Sequence, residues 1–293
     1  MDLETALQAC RFLHYAAAMA LFGTSAFLAV LAPKELAERL GERLTMILVA
    51  AAGLAAATTL AWLLLKSGEI GDGWADTLNP ALITSVLTDS SFGRAWQWRL
   101  ALAACLPAVF LLGPRRLPAL AFCSGLLLAS LALTGHAAMM SGWPGLLQRG
   151  NHMLHLLAAG AWLGALIPLL PCLAMLGEAS PFPPAGQALR RFSTAGHVAV
   201  SLVVVTGIAN TAFVLGHPPA DWSSPYQALL AAKIGLVGVM TALALTNRYF
   251  LVPRIRLARA RSLWLLSCLT AAELMLGAGV LILVSLFGMI EPT

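Results

Sequence analysis

The sequence predicts an all-α membrane protein, a bundle of eight transmembrane helices with both termini on the outer face. Three observations predict it. Of the 293 residues, 59% are hydrophobic and 11% charged, whereas a soluble domain carries about 25% charged residues. The charges fall in short clusters between long apolar stretches, and eight stretches approach or exceed the roughly 20 residues that a spanning helix needs. Lys and Arg are shared unevenly between alternate loops, which sets orientation.

The runs are taken in order. The first covers 7–32. Asp2 and Glu4 precede it, where a cleaved signal would carry basic residues. This helix is therefore expected to serve as its own insertion signal. The second run is 44–65. Loop two, 66–95, is the longest connection and holds Asn79-Pro80 and a moderately apolar piece from Ala81 to Leu87. That piece is too short to span and is expected to lie along the interface. The third and fourth runs, 96–113 and 117–140, part at Gly113-Pro114, a turn signal. The fifth, 152–176, follows a short loop, Ser141 to Gly150, which makes helices four and five neighbours. The sixth, 193–216, lies between Pro181–Pro184 and His217-Pro218-Pro219. The seventh and eighth are 227–250 and 263–289. No long soluble region and no repeat is evident, so 1–293 reads as a single transmembrane domain.

Loops one, three, five and seven hold twelve basic residues, and loops two, four and six hold four: Lys66, Arg94, Arg99 and Arg149. The odd loops are therefore expected in the cytoplasm. The net charge of +5 comes from basic pairs at helix ends. No basic domain stands outside the membrane, which argues against nucleic acid as a partner. The five cysteines are far apart and form no CxxC, so neither a disulfide framework nor a structural zinc site is expected. Cys10 stands apart from the rest because it lies one helical turn before His14.

Thr134-Gly135-His136-Ala137-Ala138-Met139-Met140, then His152-Met153-Leu154-His155, places three imidazoles and three thioethers within about twenty residues. These are the donors that copper prefers. On the expected topology His14, His136, His152, His155 and His217 gather near the outer face, and His197 alone lies near the inner one. His152 and His155 are i, i+3 and share a helix face. His136, Met139 and Met140 share a face if helix four continues that far. The metal-ligand candidates are therefore His14, His136, His152, His155, Met139 and Met140.

Other polar residues fall inside the runs. Glu273 sits near the middle of helix eight, where a charge costs on the order of 3 kcal/mol or more. It reads as a proton or cation waypoint, or as a helix–helix hydrogen bond. Lys233, Asn210 and Cys10 complete the pathway candidates. Lys233 and Arg11 sit where a long side chain snorkels to the interface. Asn210 and Asn247 suit hydrogen bonds across the bundle. There is no HExxH, P-loop, GxSxG or CxxCH. The lack of a nucleotide-binding motif argues against a primary pump. Paired histidines on neighbouring helices also suit a haem b.

Arg11-Phe12-Leu13-His14-Tyr15, Phe92 through Arg99, Thr134-Gly135-His136-Ala137, and His155 through Gly164 carry a resemblance to the CopD/PcoD copper-resistance membrane proteins. A further block runs from Lys233 to Asn247-Arg248-Tyr249-Phe250-Leu251-Val252-Pro253-Arg254. The resemblance covers nearly the whole chain. It implies an eight-helix inner-membrane protein of copper homeostasis that works with a separate periplasmic CopC-like partner. In that membrane the outer termini are periplasmic. The resemblance also implies movement of copper toward the cytoplasm, and its histidine positions carry over onto His14, His136 and His155.

Three functions compete on these residues. The first is a copper permease that receives periplasmic copper at the His/Met cluster. The second is a haem b redox protein, a copper reductase or a quinol-linked electron carrier, with the same histidines as axial ligands. The third is a structural or sensory subunit that holds no metal. The mixed imidazole and thioether donors leave Cu(I) and Cu(II) both open.

Overall fold

The fold is that of a computed structural model describing residues 1–135, 140–178, 180 and 182–292. Among these residues every regular element is helical, and eight helices are long and apolar enough to cross a membrane. The spans, numbered in chain order, are Leu3–Leu31, Thr45–Ile70, Phe92–Gly113, Arg116–Leu133, Gly142–Gly177, Pro183–Leu215, Pro225–Arg254 and Arg259–Phe287. Some of their starts carry side-chain caps. Asp2 Oδ1 accepts from the Thr5 amide at 2.7 Å, and Ser90 Oγ accepts from Gly93 at 2.8 Å, each satisfying an orphan donor of the first turn.

Span one is the centre of the bundle and packs on spans two, four, five and eight. Its closest approach is to span five, at Gly23, Gly160 and Gly164. A Cβ added at Gly23 would collide with the backbone of both partner glycines. Small residues on both sides let the two backbones meet, as is common in membrane helix pairs. Span five is broken just there, between Leu163 and Leu166. The cause is local. Pro168 has no amide proton, so the Gly164 carbonyl loses its i+4 donor. Thr24 Oγ1 on span one supplies a replacement at 3.3 Å.

An even number of spans returns the chain to its starting side. Arg11 Nη1 at the start of span one donates to the Gly288 carbonyl just past span eight, at 3.0 Å.

Several expectations need correction. Helix four does not run to 140. It ends at Leu133, because Thr134 is extended and Gly135 turns with φ +71°. The shared face expected for His136, Met139 and Met140 depended on helix four continuing that far, and helix four ends before it. His136 and Met139 lie outside the described residues, and Met140 precedes span five in non-helical backbone. Span five starts at Gly142, ten residues before the expected 152, so most of the supposed loop four is helix. Arg94 and Arg99, counted with loop two, lie inside span three. Arg99 is fully buried there. The Ala81–Leu87 piece belongs to a short helix, Pro80–Asp89, packed on spans two and three. A further short helix, Lys34–Arg43, was not expected. Leu36 and Leu40 anchor it in the core.

Candidate metal site and family membership

His14 is fully buried between spans one and two. Its Nδ1 lies 3.0 Å from Thr58 Oγ1. The Thr58 hydroxyl has a single proton, and the Leu54 carbonyl takes it at 2.6 Å. The Thr58 oxygen therefore accepts, and His14 Nδ1 must carry the proton. The lone pair is left on Nε2, which has no hydrogen-bond partner among the described residues. Cys10 Sγ donates to the carbonyl of the same Thr58 at 3.5 Å. Trp62 closes the pocket edge-on, 5.6 Å from the His14 ring centroid.

His155 repeats this arrangement between spans five and six. Its Nδ1 lies 2.9 Å from Thr206 Oγ1, and Thr206 passes its own proton to the Leu202 carbonyl. The lone pair again falls on Nε2. In metal sites a ligating imidazole usually gives its other N–H to a fixed acceptor, which sets the tautomer and raises basicity. Thr58 and Thr206 are acceptors of that kind. Sequence reading missed both, because a threonine inside an apolar helix carries no signal of its own.

His152 differs from its neighbour. The Asn151 amide donates to the Thr206 carbonyl and to Asn210 Oδ1, both at 2.9 Å. That fixes the Asn210 amide with its nitrogen toward His152 Nδ1, at 3.2 Å. His152 Nδ1 is thus an acceptor, and the proton sits on Nε2. The two rings stack with centroids 6.2 Å apart and planes 12° from parallel. One presents a lone pair on Nε2 and the other a donor.

The remaining candidates divide. Lys233 is half-buried, with Nζ 5.6 Å from the Phe287 ring centroid, and its charge reaches His152 and His155. Met140 is held through its backbone, its amide donating to Gln148 Oε1 at 3.4 Å. Cys10 and His14 meet at Thr58, and Asn210 meets His152. His14 and His155 occupy separate helix interfaces. Among the described residues no three His, Cys, Asp or Glu side chains stand close enough together to hold a metal ion.

Glu273 lies midway along span eight and is buried. Its Oε2 accepts from Trp162 Nε1 at 3.2 Å and its Oε1 from Asn247 Nδ2 at 2.9 Å. Trp162 lies seven residues past His155 on span five, a rise of about 10 Å. His197 lies toward the opposite end of span six from Thr206 and contacts the Tyr249 hydroxyl at 3.0 Å.

Residues 1–146 match the family described as copper resistance protein D-like, N-terminal domain, and residues 186–287 match copper resistance protein D. The chain is 35% identical to the inner membrane protein YebZ of Escherichia coli over 97% of both chains. The chain belongs to the copper resistance protein D family. It is also 30% identical to copper resistance protein D of Pseudomonas syringae pv. tomato over 71% of each chain. Against copper transport protein CutJ of Bacillus subtilis it is 29% identical over 81% of this chain and 45% of that one. No solved structure matches the chain.

Proposed function

We propose that this protein resides in the inner membrane as one transmembrane unit and moves copper from the periplasm toward the cytoplasm. Both termini lie on the periplasmic side in this reading, because the loops at the other end carry most of the Lys and Arg. His14 and His155 are the first imidazole ligands, joined by His136. Met139 and Met140, which follow His136 in the chain, offer soft thioethers to copper handed over by a periplasmic CopC-like carrier. His152 and Asn210 set the edge of the site. Cys10 lies one turn toward the periplasm from His14, and Lys233 stands beside the His152–His155 pair. Glu273 stands about two helical turns further in and is the next group that attracts a cation. The relatives named for copper resistance and copper transport support the cargo.

The observation that carries this reading is the pair of threonine-locked imidazoles. Each has its proton on Nδ1 and its lone pair on Nε2, the state in which an imidazole binds a metal. The same state would suit axial ligation of a haem b, and the family's copper-named members favour copper. His152 and His155 stack side by side on one helix, so those two cannot flank one iron from opposite faces.

Cellular copper accumulation tests the proposal. Cells expressing His14→Ala or His155→Ala at wild-type level should lose the copper uptake that the wild-type protein confers. Unchanged uptake in both variants would remove the imidazoles from the pathway. An absorption spectrum of the purified protein tests the haem reading directly. A Soret band that shifts on reduction would replace the permease with a redox carrier.

A further inference from the structure

Spans six and seven follow one another in the chain yet hardly touch. Between them lies a cavity of about 370 Å³, with spans five and eight behind it. That size is in the range of small-molecule sites. Its walls are apolar, with Leu166, Leu169, Phe192, Val200 and Leu266 among them. Val204, Val205 and Leu245 also line it, and they are 40%, 64% and 44% exposed. These residues belong to membrane spans, so the cavity opens sideways, toward lipid.

The polar part of the cavity is rich in acceptors. Glu273 accepts one N–H on each oxygen and, among the described residues, has no cation beside it. Whether ionised or protonated, a carboxyl group keeps acceptor lone pairs beyond these two bonds. Asn247, which lines the same space, has a buried Oδ1 with no partner among the described residues. Arg248 Nη1 is held by Ser193 on the same lining, and both ring nitrogens of His197 are engaged, by the Ser193 carbonyl and the Tyr249 hydroxyl. The remaining acceptors favour an occupant that brings a hydrogen-bond donor to Glu273, and entry from the bilayer favours one that is otherwise apolar. An acyl chain brings no donor. A hydrated ion does not travel through lipid. An aromatic hydroxyl on an apolar tail meets both demands, and Phe192 and Trp162 offer rings against which it can lie.

We propose that this cleft is a second ligand site, entered from the bilayer, that takes a phenolic lipid with its hydroxyl donating to Glu273. The site shares Glu273 with the proposed inward path but contains none of the outer histidines, and its failure would leave the copper proposal standing.

The test uses the full chain in phospholipid nanodiscs and a short-tailed isoprenoid hydroquinone kept reduced. The comparison ligand is its di-O-methyl ether, which keeps the ring and tail and has no donor. Wild-type protein should bind the hydroquinone saturably, one per chain, and the ether about ten-fold or more weakly, the loss expected for a hydrogen bond to a charged or strongly polar acceptor. Glu273→Gln should weaken the hydroquinone by a similar factor. Gly196→Phe is the second variant. Gly196 lines the cavity with open space beside its Cα, so the ring enters the site without displacing backbone. It should abolish binding while copper binding at the outer histidines is unchanged. Absence of saturable binding, equal binding of the ether, or full binding by Gly196→Phe each overturns the proposal. So does cross-linking that shows the cleft filled by a second copy of the chain.

Discussion

His14 and His155 stand at the same depth in the bundle. Spans one and five run in the same direction and cross where Gly23 meets Gly164. His14 lies nine residues before Gly23, and His155 lies nine residues before Gly164. Each is roughly 13 Å from the crossing along its own helix. Two helices that share a crossing point and a register thus carry the two threonine-locked imidazoles at one level.

That lock yields the first prediction. Thr58→Val and Thr206→Val keep the shape of the side chain and remove the acceptor for Nδ1–H. The imidazole is then free to place its proton on Nε2. Loss of such a supporting contact typically lowers metal affinity about 10–100-fold. Copper affinity, read by competition with a chromogenic chelator, should fall by that factor in each valine variant. Thr58→Ser and Thr206→Ser should retain most of it, since the hydroxyl remains.

His152 and His155 are separable by the same reasoning. His152 presents Nε2–H because Asn210 donates to its Nδ1. Copper must therefore displace a proton to use it. His155→Ala should cost far more copper affinity than His152→Ala, by an order of magnitude or more. Equal losses in the two variants would mean that the Asn151–Asn210 chain does not set the tautomer.

The two groups of residues also differ in how visible they were beforehand. Eight spans and their order could be read from hydropathy alone, because nearly every run had to be apolar to cross a bilayer. The ends could not. Helix four stops at Thr134-Gly135 although the sequence beyond stays apolar. Helix five begins at Gly142, ahead of Trp143-Pro144, because a proline is tolerated in a first helical turn, where its missing N–H is not needed. His14 and His155 announced themselves as rare polar residues in apolar runs. Their anchors, Thr58 and Thr206, did not, since the deciding contact joins residues 44 and 51 positions apart. Arg99 looked like a loop charge because its partners, Ser130 and Thr134, lie on and just past another helix.

Orientation is testable without copper. The proposed topology, read from the basic loops, has both termini in the periplasm. Alkaline phosphatase fused after the last residue should be active, and a fluorescent protein at the same place dark. Fusions placed after Arg43 and after Glu178, between spans one and two and between spans five and six, should give the opposite pair. A bright fluorescent fusion at the C-terminus would invert the topology and put the imidazoles on the cytoplasmic side.

The glycine crossing predicts a stability effect. Gly23→Leu puts a branched side chain where the backbone of Gly160 and Gly164 already lies. Overpacking of this kind costs about 1–3 kcal/mol, and more where the neighbour is backbone. The melting temperature in detergent should fall sharply, or the protein should fail to accumulate. Gly53→Leu is the control, because open space surrounds Gly53. It should melt as the wild type does.

Arg99 carries the last prediction. It is fully buried and lies over the Trp96 ring at 4.3 Å. Nε donates to Ser130 Oγ at 3.1 Å, and Nη2 donates to the Ser130 carbonyl at 2.7 Å and to Thr134 Oγ1 at 2.9 Å. These acceptors sit where span four ends and its last carbonyls lose their helical donors. Arg99 thus fastens span three to the end of span four, directly before the segment that carries His136. Arg99→Met keeps the apolar stem and strips all three donors, leaving buried acceptors unmet at about 1–3 kcal/mol each. The variant should melt lower than wild type. It should also lose copper affinity, because the connection to His136 is no longer tied down. Arg99→Lys restores a charge but not the three-way fork, so it should recover part of the stability and less of the copper affinity. A variant that melts lower yet binds copper as wild type does would confine Arg99 to a purely structural role.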